Sequence, residues 1–251
     1  MDQKQLAEEF RINSPRLRAF VFRLTANKAD AEDIVQDTYI KAQRNLDTFK
    51  GKSSLKTWLF AIASNLAKDH LRARKRWPVN AMDLGKEETM SDPDRYMPEF
   101  FKANHSVHGA FELREHIDFC FTCISKTLPV EQQMVVLLKE VFDFKVREIM
   151  EILKMTEGSV KHALLNGRNT MRDIFDERCS LVNKNGVCHQ CSELNGIFNP
   201  KQKFQEEKLR MTFDIRMGIA RAIDPFKCNG RDLHFFHFDH IARTLDQKAQ
   251  Q

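Results

Sequence analysis

Apolar residues recur at helical spacing through most of the chain. Leu17, Phe20, Val21 and Leu24 mark one face of a helix that Ser14-Pro15 opens, with serine at the N-cap and proline at the first helical position. Asn27-Lys28-Ala29 interrupts it, and Asp30 can cap a second helix with the stripe Ala31, Ile34, Val35, Thr38 and Ala42. Glu32, Asp33 and Asp37 lie toward the start of that helix, where carboxylates suit its dipole. A loop at Phe49-Lys50-Gly51-Lys52 leads to Ser53-Ser54 and a third helix with Leu55, Trp58, Leu59, Ile62, Leu66 and Leu71 inward. Its far end is HLRARKR, residues 70–76.

The pattern then changes. Residues 77–110 are punctuated by Pro, Gly, Asp and Glu and keep no long helical stripe, so they read as a linker. Asp83, Glu87, Glu88, Asp92 and Asp94 make it acidic, which suits a solvated tether more than a segment folded back on basic surfaces. Periodicity returns over 111–177, where four helices are expected. Leu113, Ile117, Phe121 and Ile124 face inward on the first, and Met134, Leu137, Leu138 and Val141 on the second, which follows Leu128-Pro129. The third spans about 145 to 153, and Thr156 caps a fourth that runs toward Phe175. The expected fold is therefore all-α. It has two small helical domains (1–76 and 111–177), a linker (77–110) and a Cys/His-rich C-terminal extension (178–251).

Composition narrows the class without naming it. The 251 residues are 42% hydrophobic and 30% charged, which supports packed cores, and 9 Gly and 7 Pro are few for a many-turned β fold. Net charge is only +5, so the placement of charge decides more than its sum. No apolar run is long enough to cross a bilayer and MDQKQLAEEF lacks a signal core, so a cytoplasmic protein with no membrane partner is expected. The six cysteines are then thiols, metal ligands or redox groups rather than structural disulfides.

Two clusters carry candidate chemistry. Lys68, Arg72, Arg74, Lys75 and Arg76 follow the stripe of the third helix, and Lys50, Lys52 and Lys56 flank its start. Clustered cations neutralise phosphates and release counterions, although a charge run is also an ordinary solvated face. Trp58 either stacks on unpaired bases or completes the core. The second cluster is a helix-turn-helix over 144–175. Val146, Ile149 and Ile152 bury its first helix, Lys154-Met155-Thr156 form the turn, and Val160, Leu164 and Met171 bury the second. Glu157, Ser159, Lys161, His162, Asn166, Arg168 and Arg172 occupy the other face, the arrangement that reads base edges and grips phosphates. Any amphipathic helical hairpin shows the same spacing.

At these residues the chain resembles a known family. ADAEDIVQDTYIKA (29–42) and FKGKSSLKTWLFAIASNLAKDHLRARKR (49–76) are similar to region 2 of the sigma-70 superfamily, extracytoplasmic-function (ECF) group. TLPVEQQMVVLLKEVFDFKVREIMEILKMTEGSVKHAL, within 113–175, resembles region 4. The resemblance covers about half the chain and implies a promoter-specificity subunit whose partners are core RNA polymerase and promoter DNA, with an anti-sigma factor as a further candidate. It implies that Asp30, Glu32, Asp33, Gln36 and Asp37 dock on the clamp of the largest polymerase subunit. Lys56, Trp58, Asn65, Lys68, Asp69, Arg72 and Arg76 would recognise and help melt the minus-ten element. Glu157, Ser159, Lys161, His162 and Arg168 would read the minus-thirty-five element in the major groove. Gln43 departs from a frequent Trp, and Ala163 and Asn166 depart from frequent Arg; two lost phosphate contacts would lower the salt slope by about two.

The extension adds Cys179, Cys188 and Cys191 in RCSLVNKNGVCHQCSELNG, with Cys228 further on. Cys188 and Cys191 form a CxxC, half of a zinc site, and Cys179, Cys228 or one of His234, His237 and His240 could complete it. A redox pair and packed reduced thiols are the alternatives. Some ECF factors carry regulatory C-terminal domains, and this tail resembles the metal-responsive variety, so metal or redox control is an expectation. Cys120 and Cys123, one turn apart on an apolar helix, read as small buried hydrophobes. The competing functions are a stand-alone helix-turn-helix regulator, which leaves the acidic and TWL helices unexplained, and a metal-dependent enzyme centred on the tail. Against the enzyme, the sequence has no HExxH, no phosphate-cradling glycine loop and no nucleophile elbow.

Overall fold

The structure is a computed structural model that describes residues 2–72, 74–104, 113–179 and 212–249. The chain divides into two compact units, each assembled from separated stretches of sequence. The first comprises Met1–Lys75 and Leu128–Arg168; the second comprises Arg76–Thr127 and Asn169–Gln251. Every regular element among the described residues is helical.

In the first unit, α1 spans Gln3–Thr25 and starts well before Ser14-Pro15. Asp2 and Gln5 form a reciprocal capping box: Gln5 N donates to Asp2 Oδ1 at 2.7 Å, and Asp2 N donates to Gln5 Oε1 at 3.1 Å. Pro15 therefore lies inside the helix, four residues beyond an Arg11 carbonyl that it cannot pair. Full burial of Leu6 on one side of the proline and Leu17 on the other holds the helix through it. α2 spans Lys28–Arg44 and buries the expected stripe, Ala31, Ile34, Val35, Thr38 and Ala42. Its cap is Asn27, whose Oδ1 accepts from Asp30 N at 2.9 Å, so Asp30 is free of capping and lies inside the first turn. α3 spans Leu55–Leu71 with Ser54 at the N-cap. Its buried face is Thr57, Leu59, Phe60, Ala63, Ser64, Ala67 and Leu71, rotated from the expected stripe because Phe60 and small residues face α1 and α2. Trp58, Ile62 and Leu66 are only partly covered.

The same unit holds α7 (Val130–Val136), a π-turn (Leu137–Val141), α8 (Val146–Leu153) and the first half of α9 (Glu157–Arg178). α8 ends at Lys154, left-handed at φ 53°, and Ser159 N donates to the Thr156 hydroxyl at 3.2 Å to start α9. Packing onto α1 and α3 centres on four rings. Phe60 lies 5.4 Å from Phe20, 5.8 Å from Phe142 and 4.8 Å from Phe144, and all four are at most 4% exposed. Polar bonds flank the rings. Arg16 Nη2 donates to Phe142 O at 2.7 Å, and buried Gln133 Nε2 donates to Arg23 O at 2.9 Å.

In the second unit the expected tether is two helices, α4 (Ala81–Ser91) and α5 (Pro93–Asn104). The apolar partner that makes them helical is α11 (Arg231–Lys248), which the 77–110 segment alone does not reveal. His240 Nε2 lies 2.9 Å from the Gly85 carbonyl and 2.9 Å from the Thr89 hydroxyl, and Tyr96 packs edge-on against the His240 ring. The acidic stretch is partly spent inside the unit: Asp83 pairs with Arg178, and the Tyr96 hydroxyl donates to Glu88 at 2.9 Å. α6 (Leu113–Ser125) packs on α10 (Phe213–Ala222) rather than joining α7–α9 in the expected four-helix domain of 111–177. Glu115 of α6 accepts from Asn229 N at 2.7 Å and Gly230 N at 3.0 Å, placing a carboxylate on the start of α11.

Candidate functional site

The acidic row on α2 divides into two kinds of residue. Glu32, Asp33, Gln36 and Asp37 are exposed beside the buried stripe. Asp30 instead turns to the end of α3, where its Oδ2 lies 2.9 Å from Arg74 Nη1 and 3.1 Å from His70 Nε2. That pairing follows from Asn27 taking the cap, which leaves the Asp30 carboxylate for the neighbouring helix.

The cations expected at DNA are also divided. Arg72 is exposed and makes only a 3.5 Å pair with exposed Asp69, and Asn65 is exposed. Lys56 is half-buried with its ammonium 4.1 Å over the Phe144 ring. Burial, and then the Arg16 guanidinium, lower its pKa from the usual lysine value. Thr57 on the same helix donates to Glu148 of α8 at 3.5 Å, and Lys68 pairs with Glu131 of α7. Trp58 packs tilted against Phe49, with ring centroids 5.1 Å apart, and is partly covered rather than central to the core. Arg76 belongs to the second unit, where its Nη2 donates to Ser125 O at 3.4 Å. The structure thus brings Lys56 and Lys68 of α3 against α7, α8 and the turn before α8.

The recognition face of α9 is presented to solvent. Glu157, Ser159, Lys161 and His162 are exposed, with Lys161 Nζ 2.6 Å from Glu157 Oε1. That pair holds the Glu157 carboxyl below its usual pKa. Arg168 turns inward to Glu140, 2.9 Å away. Ala163 is 7% exposed, so arginine's absence there removes no surface charge, and only Asn166 remains as a lost candidate phosphate contact. The expected loss of salt slope falls to about one.

Cys188 and Cys191 lie outside the described residues, and the zinc expectation rests on them. The described residues contain no group of three His, Cys, Asp or Glu side chains placed to hold a metal. Cys228 Sγ donates to Pro225 O at 3.6 Å, and burial, then Glu115 and Asp118, push the thiol up to about 12. Cys179 has a different neighbour, the Arg216 guanidinium. His234 and His240, candidate ligands in the sequence, are packed inside the second unit at 5% and 4% exposed. The sequence reading missed the ring pair Phe142 and Phe144 as part of the site; the run VFDF before the helix-turn-helix was the available signal.

The sigma-70 region 2 family matches residues 10–76 and the sigma-70 region 4 family matches residues 119–171, leaving α4, α5, α10 and α11 outside both. The chain is 30% identical over 176 residues to the ECF RNA polymerase sigma factor SigW of Bacillus subtilis, covering 68% of this chain and 89% of SigW. It is 27% identical over 161 residues to the RNA polymerase sigma-H factor of Pseudomonas aeruginosa, covering 62% of this chain and 78% of that protein. A solved structure of the sigma factor RpoE with the anti-sigma factor NepR from Bartonella quintana aligns with TM-score 0.48 and 25% identity, over 69% of this chain and 98% of that one. The chain belongs to the ECF RNA polymerase sigma factors of the sigma-70 family.

Proposed function

We propose that this sigma factor binds core RNA polymerase through Glu32, Asp33, Gln36 and Asp37, reads the minus-ten element with α3 and the minus-thirty-five element with α9, and works in the cytoplasm without catalysing a reaction of its own. Among the described residues no helix is long and apolar enough to cross a membrane. The observation that carries the reading is the pairing of an exposed acidic face on α2 with an exposed cap-and-recognition turn at Thr156–His162. Core polymerase supplies the catalytic centre for initiation, and an anti-sigma factor remains a candidate partner.

The first unit is a form that does not itself span a promoter. Elements whose names place them about twenty-five base pairs apart are separated by roughly 80 Å of duplex. A compact unit of about a hundred residues has a radius of gyration of only about 13 Å. With Thr57 against Glu148 and Lys68 against Glu131, α3 and the α7–α9 segment cannot both reach their elements. Promoter binding therefore requires them to part, exposing Phe142 and Phe144. Burying two such rings stabilises the closed form by roughly 3–6 kcal/mol, which polymerase and promoter contacts must offset.

Run-off transcription tests the assignment. Core polymerase with a promoter library should give specific transcripts only when the purified chain is present. Transcription that ignores the chain, or tight duplex binding that needs no polymerase, would contradict it and favour a stand-alone regulator.

A further inference from the structure

The polymerase and promoter contacts leave the second unit without a task, yet it contains a built thiol site. Cys120 and Cys123 of α6 and Cys179, the residue after α9, line one pocket whose walls include Pro78, Met82 and Phe175. Arg216 of α10 is 2% exposed, and its Nη2 donates to Cys179 Sγ at 3.3 Å. Its guanidinium also lies 4.1 Å from the centre of the Phe175 ring. A buried cation needs compensation, and here a sulfur and an aromatic face lie against it.

The four described thiols differ in setting. Cys179 is partly exposed beside a fixed cation, the environment that marks reactive rather than inert cysteines. Cys228 sits among carboxylates, where its thiol is pushed up to about 12. Cys123 is buried and Cys120 partly so, both on the wall facing the same pocket as Cys179.

We propose that Cys179 is an oxidation site for small hydroperoxides, activated by Arg216 and resolved by Cys120 or Cys123 across the pocket. In the first step the Cys179 sulfur attacks the peroxide. An S–O bond forms, the O–O bond breaks, and the alcohol or water leaves with the thiol proton, giving a sulfenic acid. In the second step a pocket thiol attacks that sulfur. An S–S bond forms, the S–O bond breaks, and water leaves. Two thiols are oxidised to a disulfide while the peroxide takes the two electrons. The proposal uses neither cysteine of the CxxC, Cys188 or Cys191, and it does not depend on the promoter-reading assignment.

Site-resolved mass spectrometry of the full chain, treated with hydrogen peroxide and then with dimedone, reads the first step. Cys179 should be labelled at least about tenfold faster than Cys228, and Arg216→Met should remove most of that difference while Arg216→Lys keeps it. Without dimedone, a peptide linking Cys179 to Cys120 or Cys123 should accumulate and should be absent from Cys120→Ser/Cys123→Ser. Should Arg216→Met not fold, the Cys179 to Cys228 rate ratio in the native chain decides alone. Equal labelling of Cys179 and Cys228, or a disulfide from Cys179 to Cys188 or Cys191 in place of the pocket thiols, would overturn the proposal.

Discussion

Gly167 shows how one missing methyl group positions the recognition helix. A Cβ built there would lie 2.6 Å from Val136 Cγ2 and 3.6 Å from Leu128 Cδ1, so α9 packs on α7 only because the side chain is absent. Alanine is the better helix former by about 1 kcal/mol, but overpacking a tight contact costs about 1–3 kcal/mol. Gly167→Ala is therefore expected to lower the urea midpoint of unfolding; a raised midpoint would show that Val136 yields freely. His234 and His237 make a second prediction. Burial, then the nearby His116 and His237, hold His234 well below the usual imidazole pKa, and burial, then His116 and His240, lower His237 to about 3. Both pKa values lie below the unfolded value near 6.5, so their contribution is intact above that pH. It is lost as pH falls from about 6.5, because the unfolded chain takes up protons that the folded one refuses. Thermal melts should show the second unit weakening between pH 7 and pH 5, less steeply in His234→Gln. Neither feature was legible in the sequence. HFFHFDH gave the helical spacing but not the aromatic partners Phe119 and Trp77, which lie more than a hundred residues away.

The helices themselves were legible where a helix buries its stripe against neighbours close in sequence. α2 shows this: each expected inward residue is inward. α1 begins before the Ser14-Pro15 that reads as its start, and the 77–110 segment, which keeps no long stripe of its own, holds α4 and α5 because their apolar partner α11 lies far away in the sequence. Pro15 sits mid-helix because Leu6 and Leu17 anchor both sides, and Pro93 and Pro98 lie in α5 because α11 covers it. The acidic helix separates two roles that the motif combined. Asp33→Lys/Asp37→Lys should weaken core polymerase binding by about tenfold or more with little change in stability, since both carboxylates are exposed. Asp30→Asn should instead act inside the protein, by releasing Arg74 and His70 from α2. Equal binding defects from both variants would remove the distinction. On α9, Lys161→Ala should weaken minus-thirty-five binding and lower the salt slope by about one if that ammonium meets a phosphate.

The division into two units was not legible, because each unit is discontinuous in sequence and periodicity reports only local partners. Two ordered motif blocks gave the family, and they did so without revealing that α3 and the α7–α9 segment pack together. What joins them is mostly apolar. The Lys68–Glu131 pair is 41% and 55% exposed and, like other surface ion pairs, contributes on the order of 1 kcal/mol or less, whereas the Phe20, Phe60, Phe142 and Phe144 rings are closed to solvent. The ion pair is nonetheless the best reporter of closure, since a carbodiimide couples an amine to a carboxylate only when they touch. The free protein should yield a Lys68–Glu131 linked peptide that Lys68→Gln abolishes. The link should vanish when core polymerase and promoter DNA are added before the reagent, and the cross-linked fraction should fail to initiate. A link that persists at full yield in the initiating complex, or cross-linked protein that supports normal run-off transcription, would contradict the requirement that this unit opens.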